Sequence, residues 1–357
     1  MKNPTFLSSF TSSPLKLGTA LLAGLLAAIA LPFLFSAQSQ SRPRTVASQT
    51  YSAPGRSDEV LKVDVDLITV DALVLEKKSA RVVGDLRQAD FTLSEDGVKQ
   101  TITHFSQDSL PISMLLLVDR GACLDPFGTE VREAARQAIA RLKPSDEVAF
   151  MSYYDEVELL QEFTRDRELV SRSLDRVPPH EEHGRHCLNK AFGAAADYVQ
   201  KAGNPIGRRV IVMITGVTRD FDCPGGMSGK AAAQAIYESG AVVSAIVPKT
   251  AGQRMENGMM AWATRIGRLG GAPYMDIQTL ANETGGEILS DKPERLNTTF
   301  ADLINHLRTR YNLAFTSTNK NRDGTTRKLK IDVSAPAQKT KSKLVVKARR
   351  SYVAPKT

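Results

Sequence analysis

The residues of this 357-residue chain best equipped for chemistry are its three cysteines and five histidines. His180, His183 and His186 crowd into one stretch, His180-Glu181-Glu182-His183-Gly184-Arg185-His186-Cys187, while Cys123 and Cys223 stand well apart in other polar segments. Thiolate and imidazole are soft donors that suit zinc or copper, so Cys123, His183, His186, Cys187 and Cys223 are candidate ligands of a soft-metal site. In an oxidising compartment the same sulfurs would join instead, Cys187 with Cys223 or with Cys123, and leave one odd cysteine. A Cys187 nucleophile with His183 or His186 as base is the one arrangement with catalytic capacity. There is no Gly-x-Ser-x-Gly elbow, no phosphate-binding loop and no His-Glu-x-x-His pair, so a non-enzymatic protein without a cofactor is expected.

The elements that must position these residues follow from the apolar pattern. Residues 114–118 are a continuous apolar run, followed by a helical stripe of Val131, Ala134, Ala135, Ala138, Ile139 and Leu142. Strand-like runs recur at 147–153, 210–214 and 242–247, with a second helical face at Leu188, Ala191, Phe192, Ala195 and Val199. Short apolar strands alternating with helices are what a parallel sheet covered on both faces requires. Residues 111–290 are therefore expected to form a doubly wound, mostly parallel α/β domain. Cys123, Cys187 and Cys223 would then fall on three loops at one rim of the sheet.

Two β portions flank that domain. In 58–108, Val63, Val65 and Leu67 alternate with polar residues, and Asp96-Gly97 between two strand-like runs marks a hairpin turn. The segment 291–357 reads as a helix from about 296 to 308 followed by strands. Each portion is too small to stand alone, so the two are expected to pair into one sandwich.

Charge and leader bound the setting. Residues 17–35 carry no charge, follow Lys2 and Lys16, and precede the small-residue sequence Ala37-Gln38-Ser39. Residues 1–39 thus read as a secretion signal or an N-terminal membrane anchor, and 40–57, rich in Ser, Pro, Gln and Arg, as a flexible linker. Either way the remainder is expected in an extracytoplasmic compartment, periplasmic or secreted, with 17–35 as its only membrane contact. The net charge is +8, and eleven Lys or Arg between 319 and 350 face only Asp323 and Asp332. That basic stretch makes an anionic envelope polymer one candidate partner. With 6% aromatic residues and a single tryptophan, nucleic acid is not an expected partner.

Taken together, Val118-Asp119 closing the first apolar strand, the stretch Glu162 to Arg167, and the strands at 209–215 and 240–248 resemble a von Willebrand factor A domain. The flanking Asp90-Phe91-Thr92-Leu93-Ser94-Glu95-Asp96-Gly97, the run Arg310 to Phe315, and Arg327-Lys328-Leu329-Lys330 are similar to the von Willebrand A-related family abundant in acidobacteria. The resemblance implies a Rossmann-like fold, a function in binding other proteins, and a metal-ion-dependent adhesion site at the carboxyl ends of the strands. That site uses an Asp-x-Ser-x-Ser loop, a Thr and a further Asp around magnesium. Here Asp119 stands, but Gly121 and Cys123 occupy the serine positions, His186 falls at or beside the threonine, and Gly216 replaces the third-loop aspartate. Magnesium requires hard oxygen donors, so adhesion is expected to proceed without it. The expected contact surface for another protein comprises Asp119, Arg120, Arg185, His186, Arg219 and Asp220. The alternative is a structural envelope or matrix component held through its basic C-terminal strands.

Overall fold

The computed structural model describes residues 67–107, 109–121, 128–177, 185–249, 251–340 and 343–356. The leader at 1–39, the linker at 40–57, Cys123 and His183 lie outside these residues. Described strands begin with β1 (Leu67–Glu76), β2 (Phe91–Glu95), β3 (Val98–Gln100) and β4 (Ile102–Ser106). Between β2 and β3, Asp96 at φ 46° and Gly97 at φ 85° adopt the left-handed backbone that a two-residue hairpin turn demands.

Next, Ile112–Asp119, buried along its whole length, forms β5. Then come α1 (Gly128–Ala140), β6 (Glu147–Tyr153), β7 (Val157–Thr164), α2 (Arg167–Leu174), α3 (Leu188–Val199) and β8 (Arg208–Ile214). The chain continues through β9 (Arg219–Phe221), α4 (Gly229–Ser239), β10 (Val242–Pro248), α5 (Ala251–Leu269), β11 (Tyr274–Asp276), α6 (Ile277–Thr284), β12 (Ile288–Asp291) and α7 (Leu296–Arg308). It closes with β13 (Tyr311–Thr316), β14 (Thr326–Val333), β15 (Leu344–Ala348) and β16 (Ser351–Val353).

The central sheet runs β12-β10-β8-β5-β6-β7, parallel except for β7 against β6. Alternation along β5 sends Met114 and Leu116 to a core shared with α1, α2 and α7, and Leu115 and Leu117 to a second core beneath α3, α4 and α6. Burial of each such side chain contributes about 1.5–3 kcal/mol, which is why the strands read as unbroken apolar runs. The α/β unit reaches past residue 290: Phe300, Leu303 and Leu307 of α7 belong to the core that α1 covers.

The flanking β portions interleave. One antiparallel sheet runs β15-β1-β13-β4 and the other β16-β14-β2-β3, with a single apolar core between them. Val70 faces Leu313 and Leu93 faces Ile331 across the ladders, so strands from both ends of the chain complete each sheet. The sandwich is fastened to the α/β unit by Arg208, whose guanidinium meets Asp71 at 2.7 and 3.2 Å and Asn312 Oδ1 at 3.0 Å. Next to it, burial and the Arg208 charge push the wholly buried Arg310 down to about 10. Three of the C-terminal cations are engaged with carboxylates. Arg327 turns inward to within 3.5 Å of Glu95, Lys330 pairs with Asp332 and Arg350 with Glu283.

Candidate functional site

Parallel strands bring their connecting loops together at their C-terminal ends, and the polar cluster of this chain is built there. Asp119 ends β5 with its side chain fully buried. It accepts hydrogen bonds from the Thr215 hydroxyl at 2.7 Å and the Gly121 amide at 2.9 Å. Tyr153 supports this arrangement by donating its phenol to Thr215 Oγ1 at 3.1 Å.

His186, two residues before α3, completes the cluster. Its Nδ1 lies 2.9 Å from both carboxylate oxygens of Asp119, its ring stands edge-on to Tyr154, and its Nε2 is 3.9 Å from Glu256 of α5. Burial alone would lower the imidazolium pKa. The hydrogen bond and charge of Asp119, then the charges of Glu256 and Asp220, outweigh that and hold it above the ordinary histidine value. The crown therefore seats an imidazole directly against a buried carboxylate, an arrangement that favours the protonated ring.

Gly121 is what allows it. A Cβ at that position would lie 2.0 Å from Cε1 of His186, so a side chain there and the imidazole exclude one another. These residues do not fit a magnesium ion. Asp119 is the one carboxylate of the family pattern, and its two oxygens are engaged by His186, Thr215 and Gly121. Gly121 adds no hydroxyl, and the carbonyl of Gly216 accepts from Asn257 Nδ2 at 2.9 Å.

The soft-metal expectation needs correction at two of its five residues. Cys187 and Cys223 form a disulfide, with Cα atoms 5.4 Å apart, so neither sulfur is available as a thiolate ligand. Among the described residues there is no group of three or more His, Cys, Asp or Glu that could hold a metal ion. The same bond removes the Cys187 nucleophile, and of the two pairings open from sequence it selects Cys187 with Cys223. Asn189 of α3 braces the bond from behind, accepting from the Cys223 amide at 2.9 Å and donating to the Cys223 and Met227 carbonyls at 2.9 and 2.7 Å.

The other candidate contact residues are placed unevenly. Arg185 is exposed, and its guanidinium reaches the Phe221 and Asp222 carbonyls at 3.5 and 3.3 Å, bridging the second and third loops. Asp220 lies mostly buried, and burial raises its carboxyl pKa. Arg219 is half-buried and committed to Asp276 at 2.5 Å within the β9–β11 ribbon. Arg120 is half-buried, its amide donating to the Tyr153 carbonyl at 2.9 Å. Thr215, Tyr153, Asn189, Glu256 and Asn257 were not singled out from sequence. Each is an ordinary polar residue whose role depends on a partner distant in the chain.

A parallel sheet with helices on both faces and a polar crown at its strand ends defines an α/β binding-domain class. Residues 114–218 match the family model of the von Willebrand factor type A domain, and the chain carries such a domain there. Among solved structures, proximal thread matrix protein 1 from the mussel byssus is 10% identical with a TM-score of 0.41. That match covers 57% of this chain and 48% of the mussel protein, so the chain spans about half of its length. A von Willebrand factor type A protein from Catenulispora acidiphila is 9% identical, with a TM-score of 0.42 and coverage of 75% and 74%. An aerotolerance-related membrane protein from Bacteroides fragilis is 14% identical, with a TM-score of 0.39 and coverage of 55% and 98%. No curated protein matches the chain.

Proposed function

We propose that this chain is an exported, non-enzymatic adhesion-type protein that binds another protein through its crown without a divalent cation. Von Willebrand A domains are in general interaction modules rather than enzymes. The observation that carries the metal-free reading is the imidazole of His186 seated against Asp119, in space that Gly121 leaves open. A positive charge carried on the chain there balances Asp119 as an ion otherwise would. Arg185, exposed on the second loop, directly precedes His186. Export rests on the uncharged stretch at 17–35.

The test is capture of partners from an envelope fraction on the immobilised full chain, repeated with a chelator, with a reductant and with Arg185→Glu. Capture should survive chelation, weaken on reduction because the Cys187–Cys223 bond ties the second loop to the third, and fall with Arg185→Glu. Release by the chelator would overturn the metal-free reading. Capture unaffected by Arg185→Glu and by reduction would remove the crown as the contact surface.

A further inference from the structure

Helix α5 is amphipathic with its apolar side turned outward. Met255, Met259, Trp262, Ile266 and Leu269 are 78%, 61%, 66%, 49% and 87% exposed. Their spacing of four, three, four and three residues places them along one face, a stripe of roughly 21 Å at about 1.5 Å per residue. The docked face is polar or small instead. Asn257 accepts from the Thr218 amide at 3.0 Å, Thr264 is 1% exposed, and Gly267 lies under the Phe221 ring, where a Cβ would come within 2.6 Å. Single exposed apolar residues are ordinary, but five in line on one helix mark an interaction surface.

The charges beside the stripe identify what it meets. Arg254, Arg265 and Arg268 are exposed on one flank, and none pairs with a carboxylate among the described residues. Glu256, on the other flank, is turned toward His186. The outward face thus combines an apolar ridge, centred on the only tryptophan of the chain, with cations and no acid. That is the composition of a helix lying in the plane of a membrane surface, its ridge among the acyl chains and its arginines at the headgroups. A second copy of the chain fits less well, because antiparallel pairing of two such ridges would gather the arginines of both copies along one seam, with Glu256 of each on the opposite side. No helix among the described residues is long and apolar enough to cross a membrane, so α5 would lie on the surface rather than span it.

We infer that the outward face of α5 docks on an anionic lipid surface. The chain ahead of β1 is consistent with this: residues 36–66 separate the uncharged stretch at 17–35 from the described domain. This inference does not depend on the crown binding a protein.

Trp262 is its own reporter. The full chain is reconstituted in vesicles of phosphatidylcholine alone or mixed with phosphatidylglycerol, and Trp262 emission is read with and without bromine-labelled lipid. Signal from the leader does not enter, because it has no tryptophan. Emission should move to shorter wavelength and be quenched by the brominated chains in anionic vesicles, and revert in high salt. Combined Arg254→Gln, Arg265→Gln and Arg268→Gln should lower the ratio of inserted to exposed Trp262 roughly a hundred-fold, at three surface cations. Met255→Ser with Leu269→Ser, both exposed positions, should also reduce quenching while circular dichroism stays unchanged. Emission that stays at the water-exposed wavelength in anionic vesicles would overturn the proposal. So would a blue shift that needs no lipid and grows with protein concentration, which would assign the stripe to a second copy.

Discussion

Replacing Gly121 by alanine tests the crown most directly. The added methyl would lie 2.0 Å from Cε1 and 2.7 Å from Nδ1 of His186. Non-bonded carbons settle at about 3.5–4.0 Å, so the ring must retreat by roughly 1.5 Å. Nδ1 now sits 2.9 Å from the Asp119 oxygens, and that retreat carries it out of hydrogen-bond range. Separating a buried ion pair costs about 3–5 kcal/mol, and the Thr215 and Gly121 donors that still hold Asp119 favour the lower end. At about 2–4 °C per kcal/mol for a chain of this size, Tm should fall by roughly 6–12 °C. In a His186→Ala background the contact with the imidazole is gone, and the remaining obstacle is Cε2 of Tyr154 at 2.8 Å. Alanine at 121 should then cost less, about 1 kcal/mol, for easing that ring aside. Urea unfolding of the two single variants and the double variant measures the coupling, expected at about 2–3 kcal/mol. If Gly121→Ala costs the same with and without His186, the imidazole does not occupy that space and the reasoning fails.

Three further outcomes follow from the same structure. Thiol titration of the denatured, unreduced chain should find one reactive cysteine of three, and reduction should destabilise by roughly 4 kcal/mol for a closure spanning 36 residues; three free thiols would refute the pairing. His186 has a raised pKa, so its pairing contributes in full below the ordinary histidine value of about 6.5 and is lost as pH rises through the raised value. Tm should therefore decline as pH rises above about 6.5, while His186→Gln shows no such decline; the buried Asp220, whose pKa is also raised, adds a slope of the same sign. Asp71→Asn should cost about 3–5 kcal/mol in urea unfolding, because Arg208 is left buried beside the wholly buried Arg310; a loss under 1 kcal/mol would show that the bridge does not fasten the sandwich.

Much of the fold was legible because its causes are local. The apolar run at β5, the alternation of strands with helices, and the turn at Asp96-Gly97 are each settled by neighbours within a dozen residues. Helix α5 was not legible. Its apolar residues have helical spacing, but they face solvent, so a reading that assigns such stripes to the core finds no place for them. The crown was legible in part. Gly121 and His186 stood out as departures from a family pattern, and Cys187 as a disulfide partner. The seating of His186 against Asp119 was not read from sequence, and neither were the supporting roles of Thr215, Tyr153 and Asn189.

By itself, the order of residues determined the strands and helices, the two-sided burial of the sheet and the presence of three sulfurs available for pairing, since side-chain period and apolar content act over short distances. Only the tertiary structure decided that Cys187 takes Cys223, that the His186 imidazole seats against Asp119, and that α5 turns its apolar side outward. Those outcomes depend on which loops the crossover connections deliver to the same end of the sheet. Asp119 and His186 are 67 residues apart, and no local rule measures that distance in space.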